Sequence, residues 1–531
     1  MSSLHAGFET KRSGTGVLTI GKEIGYETTP LQEFQFDRSP KDFRVLFINP
    51  PVDFSVFYAD MDLSDTKSSS PPIGILHLAA MARAYGYPVK VVDAHADGLS
   101  LPALLKLIAD YQPKVICLTA MTIMIDASAA IAKAIKAAFP EILTIVGGVH
   151  LTAEPTKTLE RYPQFDYGVV GEGELVLIDF LDALLTQRDL STVQSLVWKV
   201  DQQLVVNPRR SFFKDLDEFP FPAFDLVGDK LFSHYRLSVF GTTQFRSIGL
   251  VTSRGCTGFC SFCDLGVVGR GYRFMTAPYL IHHLQELHDR YQVNDLLFYD
   301  DMFTGNRKRL EAFCHAMLEA NRPFTWSCCS RVDFVSYLDL LKLMKAGGCH
   351  TIEFGVESGC QRILDSMRKN VTKEKIQEVI SRTTEAGITT KANFILGNLG
   401  ETHDSIMETV NFASQLNVNY VQHTHLVPLP GSEIYETAHK YGTFDPDWSK
   451  MNTFLINFIP TGFTRRDLVW YSKHFWRRFY LRPRVIWQEL RRISTREDFY
   501  RLWLAVKSFV KVTILRKASL RTHSGKVGLI H

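Results

Sequence analysis

Three cysteines carry the strongest chemical signal in the chain. Within VTSRGCTGFCSFCDLG (251–266), Cys256, Cys260 and Cys263 follow a C-x3-C-x2-C spacing in a glycine-containing loop, directly after an apolar run. Thiolates are soft ligands that suit zinc or iron–sulfur clusters. Four would complete a closed [4Fe–4S] site. Three leave one iron open to a non-protein ligand, the same vacancy that separates catalytic from structural zinc sites. The alternatives are a zinc knuckle with a distant fourth ligand, or three buried cysteines. A second stretch invites a metal reading too. VVDAHADGLS (91–100) presents Asp93, His95 and Gly98 as D-x-H-x-x-G, and a carboxylate commonly orients a ligating imidazole.

The elements that must position these residues alternate. RVLFIN (44–49) is a short apolar run closed by Pro50-Pro51 and predicts a buried strand. Helical spacing follows at 73–87, then strand VKVVDA, helix LPALLKLIADY, strand KVICLTA, helix DASAAIAKAIKAAF, strands ILTIVGG and YGVVGEGE, and helix LVLIDFLDALL. The pattern predicts a Rossmann-like parallel sheet covered on both faces, with ligands beyond the strands' carboxyl ends. Gly147, Gly148 and Gly171 fall at those ends, where a missing Cβ lets a bulky ligand approach the backbone. A two-stranded excursion (SLVWKV, LVVNP) and a proline-rich linker precede a second alternation. Its strands are IGLVTS, DLLFYD, FTWSCC, TIEFGVE, TKANFIL and YVQHTHLVPL. Six strand–helix units predict three-quarters of a parallel barrel whose site lies at the carboxyl ends, where the cysteine loop sits. The fold class is therefore α/β throughout. The expected divisions are an irregular extension (1–42), a parallel-sheet domain (43–190), a linker (191–245), the partial barrel (246–460) and a basic, aromatic helical region (461–531).

Composition narrows the classes further. An apolar fraction of 45% with 22% charged residues belongs to a globular protein. The chain has no run of 18 uncharged apolar residues for a spanning helix, and MSSLHAGFETKRSGTG has no signal-like apolar core, so a cytoplasmic location is expected. Nine cysteines argue for a reducing compartment rather than a disulfide framework. The net charge of +4 hides an asymmetry: from Arg465 onward 17 Lys+Arg face 4 Asp+Glu, whereas the preceding residues are net acidic. That tail interleaves Trp470, Phe475, Trp476, Phe479 and Tyr480 with Arg477, Arg478, Arg482 and Arg484. A helical cap on the barrel is the simpler reading, and a peripheral membrane contact the sharper one. Nucleic acid is not expected.

C-x3-C-x-aromatic-C, with Phe262 as the aromatic, resembles the cluster loop of the radical S-adenosylmethionine (SAM) enzymes. The resemblance implies a [4Fe–4S] cluster on Cys256, Cys260 and Cys263 whose open iron chelates SAM, and an electron that yields a 5′-deoxyadenosyl radical. It places the backbone near Phe262 against the adenine. Further similar motifs follow in barrel order: Asp300 and Asp301 in LLFYDDMF, Arg331 in CCSRVD as a bidentate clamp on the SAM carboxylate, Glu357 and Ser358 in FGVESG, Gly397, Gly400 and Glu401 in NFILGNLGET, and Pro430-Gly431 in HLVPLPGSEIYE. Asn398 and Leu399 stand where relatives usually show proline. Individually, Glu357 and Arg331 also read as salt-bridged residues and the aspartates as helix caps. Cys328 and Cys329 read as small buried hydrophobes or as cavity-facing thiols.

RVLFINPP, PPIGILHLAA, VVDAHA, TIVGGVH and GVVGEGE are similar to the cobalamin-binding domain fused to one class of these enzymes. The resemblance then covers about residues 43–460. In cobalamin proteins whose histidine ligates cobalt, D-x-H-x-x-G follows the first strand. Here it follows the second, so Asp93 is expected beside the cofactor and His95 is not expected on cobalt. His150 is a further candidate for a polar contact there. The function implied is a cobalamin-dependent radical SAM methyltransferase acting on an unactivated carbon through methylcobalamin. A cyclase or oxidoreductase like the anaerobic Mg-protoporphyrin ester cyclase is the runner-up, and a non-catalytic cluster- or cobalamin-binding module the third reading. Expected partners are a small-molecule substrate, with lipids and tetrapyrroles as the candidate classes, and an external electron donor of flavodoxin or ferredoxin type.

Overall fold

A computed structural model describes residues 41–51, 70–228, 246–320 and 324–491, with short pieces at 28–29, 230–233, 235, 493, 499–500, 502–503 and 506–507. The expected N-terminal extension and most of the chain after 491 therefore lie outside the described residues.

Strands β1 (Val45–Asn49), β2 (Val89–Asp93), β3 (Val115–Thr119), β4 (Leu143–Gly147) and β5 (Tyr167–Val169) pair in parallel, in the spatial order β2-β1-β3-β4-β5. The chain reverses direction of growth at β1, which opens a crevice at the carboxyl ends of β1 and β3. Helices α1 (Ile73–Ala84) and α4 (Glu174–Leu185) cover one face, and α2 (Leu101–Tyr111) and α3 (Ile125–Ala138) the other. Alternation in β1 explains the double cover: Val45 and Phe47 enter one core, Leu46 and Ile48 the other. The sheet does not end at 190 as expected. β6 (Leu196–Val200) and β7 (Gln203–Val206) form an antiparallel hairpin on β5, because Leu196 and Val197 are fully buried there and need the sheet's cover.

The second unit has β8 (Ser247–Leu250), β9 (Asp295–Phe298), β10 (Thr325–Ser330), β11 (Cys349–Glu357), β12 (Thr389–Leu396) and β13 (Tyr420–His425), all parallel and in sequence order. Helices α5 (Ala277–Tyr291), α6 (Arg307–Glu319), α7 (Leu338–Ala346), α8 (Lys373–Glu385) and α9 (His403–Gln415) lie between successive strands, most starting at a side-chain cap such as Thr276, Asn306 or Thr372. Phe354, Val356, Ala392 and Phe394 join the core under these helices. Their neighbours Glu353, Lys391 and Asn393 take the other face, toward the lumen, by period-two alternation.

Six strands leave β13 as an edge. Helix α10 (Arg465–Tyr480), opened by a Thr464/Asp467 capping box, covers it. Phe475 packs edge-on against Phe394 at 5.3 Å. The Tyr480 hydroxyl accepts from Val421 N at 3.2 Å and donates to Val421 O at 2.9 Å. One side chain thus satisfies both outward backbone groups of Val421, which blunts the edge against further pairing there. Helix α11 (Pro483–Arg491) continues outward.

Candidate active site

The cysteine loop is bracketed by a short antiparallel ribbon in which Arg254 opposes Arg273. Both arginines reach into the front domain. Arg273 forks onto Glu172 at 2.9 and 2.7 Å, and Arg254 meets Glu172 at 3.2 Å and also Glu174. All four are buried or nearly so. Burial alone would raise Glu174, but Arg254 outweighs it and holds the carboxyl at about 2. Arg254 is raised in turn, Glu174 and Glu172 overcoming the cost of burial. Arg209 adds a further tie by donating to Gly266 O at the loop's far side. Two acids of GEGE therefore staple both ends of the loop to the carboxyl end of the front sheet.

The middle of the loop is pinned from the barrel. Ser261 N donates to Met367 O at 3.0 Å, and Ile434 N to Ser261 O at 3.2 Å. The Pro430-Gly431 turn lies against Asp264, and a Cβ on Gly431 (φ +85°) would stand 2.6 Å from Asp264 Cγ. Phe262 is half-buried against Leu426, Ile434, Ile363 and Met367, so its ring is a packing anchor, consistent with only its backbone being available to a ligand.

Cys263 is exposed and Cys256 and Cys260 partly so. The three sulfurs do not all lie within 4.8 Å of one another, unlike His282, His283 and Glu286. Arg331 Nη1 sits 3.5 Å from Cys260 Sγ.

The other expected residues divide. Arg331 is held by Asp333 through Nε and Nη2 at 3.0 Å each and by Lys369 O at 2.8 Å, so its bidentate edge is already occupied and only Nη1 faces the thiols. Glu357 closes β11 with a left-handed φ of +66° and pairs with Lys369 at 2.8 Å; such strain in an ordinary residue commonly marks a functional position. Asp300 and Ser358 do not present free groups. The Asp300 carboxylate accepts from Thr252 N, Thr252 Oγ1 and Ser253 Oγ at 2.6–2.8 Å and ties β8 to β9. Ser358 is buried against Thr409 and Cys360 N. Asp301 accepts from Gly255 N. Gly397 N and Asn398 N both donate to Glu401 Oε2, at 3.0 and 2.7 Å, so this carboxylate shapes the G-N-L-G-E turn from inside. Burial raises Glu401 to about 7. Cys328 enters the core, whereas Cys329 opens to the lumen.

In the front domain the glycines have packing reasons. A Cβ on Gly148 (φ +110°) would meet Ala120 O at 2.8 Å, and one on Gly171 the Arg209 guanidinium at 3.0 Å, so the neighbouring chain, not a ligand, demands glycine there. Gly147 ends β4 against Val169. His150 is buried edge-on against Trp448 at 4.3 Å, with Nδ1 3.4 Å from Thr122 Oγ1, and lies away from any open surface. Asp93 accepts from Ala96 N at 3.0 Å and Tyr235 Oη at 3.1 Å, and Asp97 takes Lys230 at 2.8 Å. The D-x-H-x-x-G turn is thus a brace for the linker, on the edge strand β2. His95 lies one strand away from the crevice at β1 and β3.

What the crevice does offer is uncovered apolar surface. Met121, after β3, and Val149, after β4, are 49% and 46% exposed, and Phe259 in the cysteine loop 56%. Large apolar side chains left open at strand ends fit a broad, flat organic cofactor. Sequence reasoning missed Glu172, Arg254, Arg273, Lys369, Asp333 and Asp264. The first three were visible as acids in GEGE and arginines flanking the loop, but nothing local said that they meet.

A cysteine-loop barrel joined to a parallel-sheet cofactor domain defines a two-domain metalloenzyme class. Residues 62–181 match the B12 binding domain and residues 250–413 the Radical SAM superfamily. The chain belongs to the radical SAM enzymes that carry a cobalamin-binding domain, with cobalamin, SAM and a [4Fe–4S] cluster as cofactors. It is 28% identical over 452 residues to an uncharacterized methyltransferase of Pyrococcus horikoshii, covering 85% of this chain and 95% of that one. It is 26% identical over 481 residues to the anaerobic magnesium-protoporphyrin IX monomethyl ester cyclase of Rubrivivax gelatinosus, covering 89% and 83%. Its fold is similar to that of the cobalamin-dependent SAM radical enzyme OxsB with aqua-cobalamin and SAM bound (TM-score 0.70, 16% identity, 89% of this chain and 72% of that). The methyltransferase TsrM of Kitasatospora setae follows, at TM-score 0.60 and 16% identity over 77% and 76%. Among the described residues no helix is long and apolar enough to cross a membrane.

Proposed function

We propose that the chain is a cobalamin-dependent radical SAM methyltransferase that places a methyl group on an unactivated carbon of a small molecule. The observation that carries this reading is the stapling of the three-cysteine loop, through Arg254 and Arg273, to the carboxyl end of a B12-type sheet. Cluster and SAM together supply a hydrogen-abstracting carbon radical, and cobalamin supplies methyl transfer. The chain's own residues hold these partners in register, which is the protein's main contribution to such chemistry.

Cys256, Cys260 and Cys263 are the cluster ligands. Arg331, beside Cys260, offsets thiolate charge. Glu357, fixed by Lys369, and the backbone of the Gly397–Glu401 turn bound the SAM side of the mouth. Met121 and Val149 are exposed apolar side chains at the strand ends that would shield bound cobalamin from water, and the exposed Tyr299 and Cys329 follow or end barrel strands on the lumen side. The cofactor sheet runs from 43 to the end of β7, the barrel from 246 to 460. An external one-electron carrier of flavodoxin or ferredoxin type supplies the reductant.

The test is anaerobic turnover with SAM and reductant. Formation of 5′-deoxyadenosine together with S-adenosylhomocysteine, and a product heavier by one CH2, supports methyl transfer. The cyclase relative's coverage of 89% of the chain keeps one alternative in view: a product lighter by hydrogens, without S-adenosylhomocysteine, assigns oxidation or cyclisation instead.

A further inference from the structure

Among the described residues, the C-terminal helices present exposed apolar side chains at a recurring helical spacing. In α11, Ile486, Trp487 and Leu490 are exposed while Val485 is buried beneath them. The same i, i+1, i+4 spacing recurs at Phe499, Tyr500 and Trp503, and all six side chains are 46–61% exposed. That spacing sets one face of a helix, about 100° wide. The stripe is flanked by cations that lean on its rings: Arg491 lies 4.7 Å over Trp487 and Lys507 5.1 Å over Trp503. Arg484 is exposed beside it.

Charge selects the occupant. From Arg465 to the end, 17 Lys+Arg stand against 4 Asp+Glu. Two copies docked face to face would oppose two basic surfaces. Nucleic acid would leave Ile486 and Leu490 without a partner, since aliphatic side chains neither stack on bases nor pair with phosphates. An anionic bilayer answers both features. Trp and Tyr rings settle at headgroup depth, aliphatic side chains enter the acyl boundary, and arginines meet lipid phosphates. We infer that this face seats the protein on an anionic lipid surface. The inference is independent of which reaction the barrel catalyses.

Vesicle flotation of the full chain tests it, using phosphatidylcholine alone and phosphatidylcholine mixed with phosphatidylglycerol. Binding to the mixed vesicles, weakening with salt and nearly absent on phosphatidylcholine alone, is the expected result. W487S/L490S weakens it by more than tenfold. R484E/R491E weakens it by at least on the order of 25-fold, from about fivefold for each basic residue removed, with the added carboxylates repelling the surface further. These side chains are exposed, and unchanged far-UV circular dichroism verifies folding; should W487S/L490S misfold, R484E/R491E and the salt series still decide. Equal flotation on both vesicle types, no flotation, or binding unaltered in the arginine variant overturns the inference. So does a dimer that W487S/L490S dissociates in the absence of lipid binding, which gives the face to a second copy.

Discussion

Glu172 is the residue whose removal tests the architecture most directly. It is the shared counter-ion of Arg254 and Arg273, the cross-strand pair that closes the cysteine loop. In E172Q the shape persists and one charge disappears. At 3.2 Å and an effective dielectric of about 20, the Glu172–Arg254 attraction alone is about 5 kcal/mol. Part of it offsets desolvation, and deleting one partner of a buried pair costs about 3–5 kcal/mol overall. Glu174 retains Arg254, whereas Arg273 loses its ion pair and keeps the carbonyls of Phe213 and Val268 and the face of the Phe212 ring. The expected loss is therefore about 3 kcal/mol, a large share of an ordinary domain's 5–15 kcal/mol. Urea unfolding of the cluster-free chain reads the stability, and iron content after anaerobic reconstitution reads the loop. E311Q, which removes an exposed partner of Arg307, is the control and should change neither. An E172Q protein as stable as E311Q, with full iron, would refute the claim that the front domain holds the loop. A cycle with R273M should show coupling above about 1 kcal/mol.

Three further outcomes follow from other contacts. C256A, C260A and C263A should each lose most reconstituted iron and all 5′-deoxyadenosine formation, while H95A keeps its cobalamin with an unchanged visible spectrum; a cobalamin spectrum altered in H95A would restore the D-x-H-x-x-G turn as a ligand site. G431A forces a Cβ to 2.6 Å from Asp264 Cγ at φ +85°, so iron retention should fall at a stability cost of about 1–3 kcal/mol, and full iron retention counts against the turn's role. Glu401 is raised from 4.5 to about 7 by burial, so the folded chain binds its proton more tightly than the unfolded chain. The stability this lends is fully present below the unfolded value and disappears as pH rises through 7, a change on the order of 3 kcal/mol. Urea midpoints across that range should fall in the wild type and stay flatter in E401Q; parallel profiles would count against it.

Much of the fold was legible because the front sheet is buried on both faces and the barrel strands on their outer face. Short β-branched runs separated by helical spacing leave few other arrangements, and LPALLKLIADY becomes α2 residue for residue. The cysteine spacing is local and carries its chemistry on its face. The misreadings were long-range. Whether Asp300 points at a ligand or at Thr252 depends on how β8 and β9 meet, which no local pattern records. The hairpin at 196–206 read as a linker because its partner, β5, is only three residues long. Glycine at 148 and 171 suggested room for a cofactor, yet the space is filled by Ala120 and Arg209.

The distribution of anchors on the cysteine loop bears on how the two domains work together. A barrel that merely carried a cobalamin domain in tow would hold the loop by its own residues. Here the barrel holds the middle, at Met367, Ile434 and Gly431, and touches the start through Asp301 on Gly255 N, while both ends also rest on Glu172 and Glu174 of the front domain. These acids follow β5 and open α4, so the staple ties the loop to the carboxyl end of the front sheet. Handing a carbon radical to a methyl carrier requires near-contact geometry, and a misplacement of about 1 Å can cost about a hundredfold in rate. A buried, charge-balanced staple between the two carboxyl ends supplies that register without depending on the linker, whose braces at Asp93 and Asp97 can then serve only to close the back of the interface.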